Sequence, residues 1–120
     1  MKAYICGKFN SEEKSTLQYK FPSIEFFEMA QDKKDCDIHL YVISPLTALI
    51  TIAEAVDNSN KHPQKTVFYL VPSALKENKN VYISMSQIPE LAAVGKLIQA
   101  NGGVCLYELK ELIHWLNHKE

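Results

Sequence analysis

The middle of the chain reads Asp37-Ile38-His39-Leu40-Tyr41-Val42-Ile43-Ser44-Pro45 and, after a short gap, Thr51-Ile52-Ala53-Glu54-Ala55-Val56-Asp57. β-Branched and aromatic residues dominate the first run, a composition typical of a strand that is buried on both faces. Pro45 disfavours helical backbone at Ser44, so the strand is predicted to end there. Apolar residues in the second run recur with the spacing of a helix. We therefore expect a buried strand, a short loop and a helix.

The helix can begin at either of two places, and the choice changes the interpretation of Glu54. Thr51 and Glu54 have the spacing of a capping box, in which Thr51 is the N-cap and Glu54 satisfies a backbone N–H group. If the helix instead begins near Leu46, it has a solvated polar stripe opposite an apolar stripe that faces the core. The polar stripe would consist of Thr47, Thr51, Glu54 and Asn58, and the apolar stripe of Leu49, Ile52 and Val56.

Four more strands and three more helices are predicted from the rest of the chain. Residues 26–30 are compatible with either a strand or a helix, and residues 31–36 leave little room for a full crossover helix before the central strand. Because strands and helices alternate, the expected fold class is α/β: a flavodoxin-like three-layer α/β/α sandwich with a five-stranded parallel sheet of order 2-1-3-4-5. The additional strands are Lys2 to Gly7, Ile24 to Phe27, Lys65 to Val71 and Val104 to Tyr107, and the helices begin after Asn10 or Ser11, at Pro89 and at Leu109.

This strand order has a switch point between the first and third strands, and in open α/β sheets ligands bind beyond the carboxyl ends of the strands at such a point. The order brings Tyr4, Gly7 and Phe9 opposite the segment from Ser44 to Glu54. Gly7 would allow a tight turn and a close approach of a ligand to the backbone. The chain has neither G-x-G-x-x-G nor G-x-x-x-x-G-K-[ST], so it carries no dinucleotide fingerprint and no P-loop.

The composition is that of an ordinary globular protein and argues against several functions. The 120 residues, 47% hydrophobic and 22% charged, suffice for a single domain over residues 1–120. A net charge of −1 with scattered lysines argues against nucleic acid as a partner. No apolar run reaches the ~20 residues that span a bilayer, so we expect no membrane contact. The N-terminus leads directly into a strand without the apolar region of a signal peptide, which predicts a cytoplasmic protein.

The cysteines do not form a metal-binding pattern. His114 and His118 are four apart on the last predicted helix and could bind a metal, but their position near the chain terminus argues against it. Cys6, Cys36 and Cys105 are widely spaced, contain no C-x-x-C pair and are not matched by histidines at ligand spacing. Cysteines within or beside predicted strands usually serve as small buried apolar residues. We expect no metal and no cofactor.

A resemblance to a known family is carried by six short segments, which are spread over most of the length of the chain. The segments are Tyr4 to Phe9, Ile43 to Pro45, Ile52 to Lys61, Pro63 to Phe68, Leu91 to Ile98 and Asn101 to Gly103. In these segments the chain resembles the nucleoside 2-deoxyribosyltransferase-like family. The central segments are more specific than the terminal ones.

The resemblance implies a flavodoxin-like sheet and an enzyme that cleaves or exchanges the N-glycosidic bond of deoxynucleosides. Glu54 matches the position of the family's glutamate nucleophile, which would attack C1′ of deoxyribose and form a glycosyl-enzyme. Tyr4 would orient this carboxylate or border the sugar. Relatives complete their sites with residues of a neighbouring subunit, so a homo-oligomer is implied. The candidate substrate-binding residues are Tyr4, Gly7, Phe9, Ser44 and Thr51.

The chain departs from the pattern of that family in two places. A Gly-Thr pair commonly precedes the glutamate in relatives, whereas here Leu49 to Ile52 is apolar apart from Thr51. The region between the second and third strands is shortened, and its acids either replace acids that frame the base in relatives or belong to a solvated loop. The alternative function is a module on the same fold that binds a nucleoside or nucleotide, or mediates interactions, without catalysis. The acids concerned are Asp32, Asp35 and Asp37.

Overall fold

The structure is a computed structural model that describes residues 1–28, 30–43, 49–70 and 88–119, with the side chains of the same residues except 30–32 and 88. Five strands form one parallel sheet of order β2-β1-β3-β4-β5. The predicted α/β fold and its strand order are confirmed. The strands are β1 (Lys2–Cys6), β2 (Glu25–Phe27), β3 (Ile38–Ile43), β4 (Thr66–Leu70) and β5 (Val104–Leu106). The described helices are α1 (Ser11–Lys20), α2 (Leu49–Lys61), α3 (Ile88–Ala100) and α4 (Leu109–Lys119), with a 3-10 helix at Ala30–Asp35.

Strand β3 is the centre of the sheet, and all 6 of its residues are buried. The adjacent strand β4 is also buried along its whole length. Strands with helices on both faces have no side that faces solvent, which explains why their sequences are nearly continuous apolar runs. The predicted burial of the central strand on both faces is therefore confirmed.

Helices cover both faces of the sheet. Hydrogen bonds of two β4 residues show which helix lies on which face. Side chains three positions apart on a strand point to opposite faces. The Tyr69 hydroxyl donates a hydrogen bond to Glu13 of α1 at 2.7 Å. On the opposite face, the side-chain amide of Asn58 on α2 donates to Thr66 Oγ1 at 2.7 Å. Helix α3 packs beside α2 and against β5. The face of the sheet that carries α2 is therefore distinct from the face that carries α1.

The connection between β2 and β3 is shorter than an α-helical crossover. Phe26 and Phe27, compatible in the sequence with either a strand or a helix, belong to β2. The segment Ala30–Asp35 forms the 3-10 helix. Six residues advance the chain by about 12 Å in a 3-10 helix and by about 9 Å in an α-helix, so the tighter helix helps a short connection to return to the start of β3.

Helix α2 corrects both predictions about its amino-terminal region. The helix already includes Leu49, so Thr51 lies within it and the capping-box prediction is wrong. The two predicted stripes are wrong in part, because Leu49 is 67% exposed and Asn58 only 2% exposed. Ile52 and Val56 do pack against the core. The side of α2 that faces the sheet is therefore more polar than the sequence pattern indicates.

A buried hydrogen-bond network explains why a polar side of α2 can face the sheet. His39 Nε2 lies 2.8 Å from the carbonyl oxygen of Lys33 and is its donor, which leaves Nδ1 to accept from Asn58 Nδ2 at 3.0 Å. The same amide group donates to Thr66, whose hydroxyl donates to the carbonyl oxygen of His62 at 2.8 Å. Because buried polar groups must be paired, this network fixes α2 and the 3-10 helix on one face of the sheet.

Helix α1 begins with a capping box, and Asn10, one of the two predicted caps, is its N-cap. The Asn10 side chain accepts from the backbone N–H of Glu13 at 2.7 Å, and Glu13 Oε1 accepts from the backbone N–H of Asn10 at 3.2 Å. The second oxygen of the same carboxylate accepts the hydrogen bond from Tyr69. Glu13 therefore ties the start of α1 to the middle of the sheet.

Candidate functional site

The Glu54 carboxylate lies above the carboxyl end of β1. Its side chain is on α2, and Oε2 is 3.8 Å from Sγ of Cys6, the last residue of β1. The same sulfur atom is 3.9 Å from Thr51 Oγ1. A thiol is a weak hydrogen-bond donor, and its contact with Oε2 ties the Glu54 side chain to the end of β1. The structure thus brings together Glu54 and Thr51, two of the predicted site residues, at the end of β1.

Tyr4 lies beneath this carboxylate on the same face of the sheet. Residues two apart on a strand share a face, so Tyr4 and Cys6 both point toward α2. The Tyr4 side chain is only 6% exposed, and its ring makes edge contacts with those of His39 and Tyr41. Burial raises the pKa of Tyr4 to about 12, and the neighbouring Cys6 and Glu54 groups add to the shift. Tyr4 is therefore a neutral, buried neighbour of the carboxylate.

Two further groups belong to this cluster although the sequence did not single them out. Tyr41 of β3 is fully buried, and its hydroxyl has no hydrogen-bond partner among the described residues. Burial is the main reason that the pKa of Tyr41 is raised, with smaller contributions from Cys6, Tyr4 and Glu54. The Lys33 ammonium group lies 5.7 Å from the Tyr41 ring centre and 5.8 Å from that of Tyr4. A cation over two aromatic rings stabilises this arrangement.

Gly7 makes the tight turn that the sequence predicts. Its φ angle is +99°, a conformation that favours glycine. A Cβ atom at this position would collide with the carbonyl oxygen of Val42 on β3. The closest approach at Gly7 is therefore to the backbone of the neighbouring strand. The approach of a ligand to Gly7 stays a prediction.

Phe9, another predicted site residue, is not beside Glu54. Its ring centre lies 5.7 Å from that of Tyr69, and Tyr69 points to the α1 face of the sheet. There Phe9 lines a cavity of about 540 Å³. Glu54, Tyr4 and Thr51 are not among the residues that line it. The sheet therefore separates Phe9 from the carboxylate. The predicted residue Ser44 lies outside the described residues.

The acids between β2 and β3 do not gather around Glu54 in the described part of the structure. Asp37 precedes β3 and accepts a hydrogen bond from the backbone N–H of Lys2 at 3.0 Å. Both residues lie at the amino ends of their strands, which is the edge of the sheet opposite Glu54. Asp35 is exposed, and the side chain of Asp32 lies outside the described residues. The solvated-loop interpretation therefore fits Asp35 and Asp37.

The fold and the cluster define the chain as a three-layer α/β protein with a carboxylate placed at the switch point of a 2-1-3-4-5 sheet. Within residues 1–28, 30–43, 49–70 and 88–119, no group of three or more His, Cys, Asp or Glu side chains could hold a metal ion. None of the helices described is long and apolar enough to pass through a membrane. Comparison with protein-family models, curated proteins and solved structures finds no match to this chain.

Proposed function

We propose that the protein cleaves or exchanges the N-glycosidic bond of a deoxynucleoside, with the Glu54 carboxylate as the nucleophile. One observation carries the proposal: Oε2 of Glu54 lies 3.8 Å from the thiol at the end of β1. This contact places an exposed carboxylate where β1 and β3 are neighbours and their crossovers diverge. Ligands of open α/β sheets bind at such a position.

The reaction needs two displacements at C1′ of the sugar. In the first, a Glu54 oxygen forms a bond to C1′ while the C1′–N bond breaks, and its electron pair leaves with the base, which takes a proton from water. In the second, a new base or a water molecule attacks C1′ and releases the carboxylate. The first product is a glycosyl ester of Glu54, and the second is an exchanged nucleoside or a free sugar.

The neighbours of Glu54 hold the carboxylate in place. The Cys6 thiol donates a weak hydrogen bond to Oε2. Thr51 contacts the same sulfur atom from one turn earlier on α2. A nucleophilic carboxylate reacts fastest when its geometry is fixed before the substrate arrives. Cys6 and Thr51 are therefore positioning residues in this proposal.

The test is base exchange or base release by the purified chain. We expect deoxynucleosides incubated with a different free base to give new nucleosides or free base, measured by liquid chromatography. Glu54→Gln and Glu54→Ala should both abolish turnover because neither side chain can form the ester. Glu90→Gln is the matched control, since Glu90 is an exposed glutamate near the start of α3. Equal turnover in the wild type and in Glu54→Gln would refute the proposal.

A second candidate, non-catalytic binding of a nucleoside or nucleotide, is favoured by the weak acidity of the groups around Glu54. Burial, followed by the charges of its neighbours, raises the pKa of Tyr4. Burial and the Glu54 charge raise the pKa of Cys6. Neither group is therefore an efficient proton donor to a departing base at neutral pH. Saturable binding of a deoxynucleoside without turnover, measured by calorimetry, would select this candidate.

We also propose that the chain self-associates through the start of α2. Leu49 and Ile50 are adjacent apolar residues that are 67% and 65% exposed. Exposed apolar patches on globular proteins often mark protein contacts. A second copy placed here would lie close to Glu54, which is one turn further along the same helix. Such a contact would let a neighbouring subunit contribute to the site.

A further inference from the structure

The cavity on the α1 face has a chemistry of its own. It has a volume of about 540 Å³, within the range of roughly 300–1,000 Å³ that is typical of small-molecule sites. Its walls come from the end of β1, the loop before α1, one side of α1, and β2 with the residue after it. The lining residues are Ile5, Lys8, Phe9, Lys14, Leu17, Gln18, Phe26, Phe27 and Glu28.

This cavity is separate from the Glu54 cluster. Ile5 and Cys6 are consecutive on β1, so their side chains point to opposite faces of the sheet. Cys6 contacts Glu54 on the α2 face, whereas Ile5 lines the cavity with Leu17 of α1. A molecule in the cavity would therefore be divided from the Glu54 carboxylate by the backbone of β1.

One part of the cavity wall is apolar and aromatic. Its apolar wall consists of two phenylalanines and two aliphatic residues: Phe9, Phe26, Ile5 and Leu17. The Phe27 ring points to the other face of the sheet, where it lies 5.8 Å from the Lys2 ammonium group. Leu17 is fully buried, while Phe9 and Phe26 are partly exposed. Aromatic rings around a partly open space suit a flat or aliphatic molecule, because burial of apolar surface drives binding.

The polar groups of the cavity give it a net positive charge. Lys8 and Lys14 contribute two positive charges and Glu28 one negative charge. Lys14 pairs with Glu28 at 3.5 Å, but both side chains are more than half exposed, so the pair is weak. Lys8 makes no ion pair among the described residues. The Lys8 ammonium group is therefore available to bind an anion. The Lys14 ammonium group could also bind it after its weak pair with Glu28 is broken.

The loop that carries Lys8 and Phe9 is held in place before a ligand binds. Gly7 makes the turn at its beginning, and the capping box of Asn10 and Glu13 closes its end. The hydrogen bond from Tyr69 to Glu13 anchors that cap to β4. A preformed site loses less conformational entropy on binding than a flexible one.

We propose that this cavity is a second binding site, which takes a small organic carboxylate with an aromatic or aliphatic body. The apolar body would lie against Phe9 and Phe26, and the carboxylate would face Lys8 and Lys14. The site does not require Glu54 and is independent of the reaction proposed above. Binding here depends on the charge of the ligand as well as on its apolar area.

The test compares three ligands that share one ring system and differ in charge: 2-naphthoate, 2-naphthamide and 2-naphthylmethylammonium. We expect 2-naphthoate to bind most tightly and the cation least tightly in calorimetric titrations at pH 7. In ¹H–¹⁵N correlation spectra, the backbone signals of residues 8, 9, 18 and 28 should shift upon addition of 2-naphthoate. Equal affinities for the three ligands would overturn the proposal, and so would an absence of binding at millimolar concentration.

Variants separate the cavity from a general effect of surface charge. Lys8→Gln should weaken the binding of 2-naphthoate about fivefold, the factor expected for loss of one partly exposed ion pair, and leave 2-naphthamide unchanged. Lys20→Gln is the matched control, because Lys20 is an exposed lysine in the last turn of α1 that does not line the cavity. Gln18→Trp should block the site by filling it from an exposed position on α1. Retained binding in Gln18→Trp, or an equal loss in Lys20→Gln, would overturn the proposal.

Discussion

The Cys6 thiol and the Glu54 carboxylate lie 3.8 Å apart, one at the end of β1 and the other on α2. The two residues are separated by 48 positions in the sequence, and the parallel pairing of β1 with β3 brings them together. The contact makes the reactivity of the thiol a measure of the charge on the carboxylate. The environment of Glu54 can therefore be tested through the reactivity of Cys6 even when the substrate is not known.

We expect Glu54→Gln to speed up the alkylation of Cys6. Burial raises the pKa of Cys6, and the Glu54 charge raises it further, while the hydrogen bond with Thr51 lowers it. Replacement of the charge by an amide should lower the thiol pKa and increase the thiolate fraction. Thr51→Val should have the opposite effect.

The measurement is the rate of iodoacetamide labelling between pH 7 and 9, assigned to Cys6 by peptide mass spectrometry. Cys36 and Cys105 are buried and serve as slow internal references. A pH profile for Cys6 that is the same in the wild type and in Glu54→Gln would contradict the contact.

Tyr69→Phe should destabilise the protein by roughly 1–3 kcal/mol, the cost of leaving a buried acceptor without its donor. The hydroxyl donates to Glu13, which is also buried. Tyr19→Phe is the control, because Tyr19 is 88% exposed on α1, the helix that contains Glu13. The free energy of unfolding from urea titrations, monitored by circular dichroism, distinguishes the two. Equal stabilities of the two variants would count against a stabilising Tyr69–Glu13 bond.

The buried histidine predicts a loss of stability in mild acid. Burial, together with the charge of Lys33, lowers the pKa of His39. The folded state disfavours the protonated ring, so the neutral His39 ring contributes to the free energy of unfolding. This contribution is complete above the unfolded pKa of about 6.5 and is lost as the pH falls through the pKa of His39 in the folded state. The free energy of unfolding should therefore decrease below about pH 6.5.

The pH dependence can be assigned to His39 with two variants. His39→Gln removes the titrating ring and should flatten the dependence, although the variant is less stable at pH 7. His118→Gln changes an exposed histidine at the end of α4 and should keep the wild-type slope. Urea titrations between pH 5 and 8 provide the comparison, and an unchanged slope in His39→Gln would exclude His39 as the source.

Gly7→Ala should cost more stability than Gly102→Ala. Both glycines have φ angles near +100°, where a side chain is strained by roughly 1–3 kcal/mol. A Cβ at Gly102 would meet the side chain of Pro63 at 3.1 Å, whereas a Cβ at Gly7 would collide with the backbone of Val42. Side chains adjust more readily than a central strand does. Thermal unfolding should give the lower midpoint for Gly7→Ala, and the reverse order would contradict the geometry.

If Leu49 and Ile50 form the contact between copies of the chain, a charged residue at this position should weaken self-association. Wild-type protein should sediment as an oligomer, and Ile50→Asp should shift it toward the monomer, because a charge cannot be buried cheaply in an apolar contact. Leu97→Asp is the control, since Leu97 is an exposed leucine on α3. Sedimentation velocity over a range of protein concentrations measures the oligomeric state of the wild type and of both variants. A monomeric wild type at all concentrations would refute the proposed contact.

The sheet could be predicted from the sequence because its two central strands, β3 and β4, are buried on both faces. Both strands are nearly continuous apolar runs, and the alternation of strands with helices predicts a parallel order. The side of α2 that faces the sheet could not be predicted in the same way. Asn58 is a typical surface residue by composition, and it faces the sheet because His39, 19 positions earlier, and Thr66 accept hydrogen bonds from its amide. Such long-range pairing leaves no local pattern.

The candidate site could be predicted in part. The strand order places Tyr4 and Glu54 near one another, and the structure agrees. Tyr41 shares a face with His39 and could have been found from the period of two along β3. No sequence pattern indicates that Lys33 lies beside the two tyrosines, because its position depends on the path of the 3-10 helix. The strand order also predicts Phe9 near Glu54, but Phe9 follows the turn at Gly7 and lies on the other face of the sheet.

Glu13 uses its two carboxylate oxygens for two different parts of the protein, the first turn of α1 and the hydroxyl on β4. Substitutions at Glu13 and Tyr69 will consequently be non-additive in a double-mutant cycle, since removal of either partner already disrupts the shared bond. The amino-terminal helix and the centre of the sheet should for the same reason open together as one cooperative unit in hydrogen exchange.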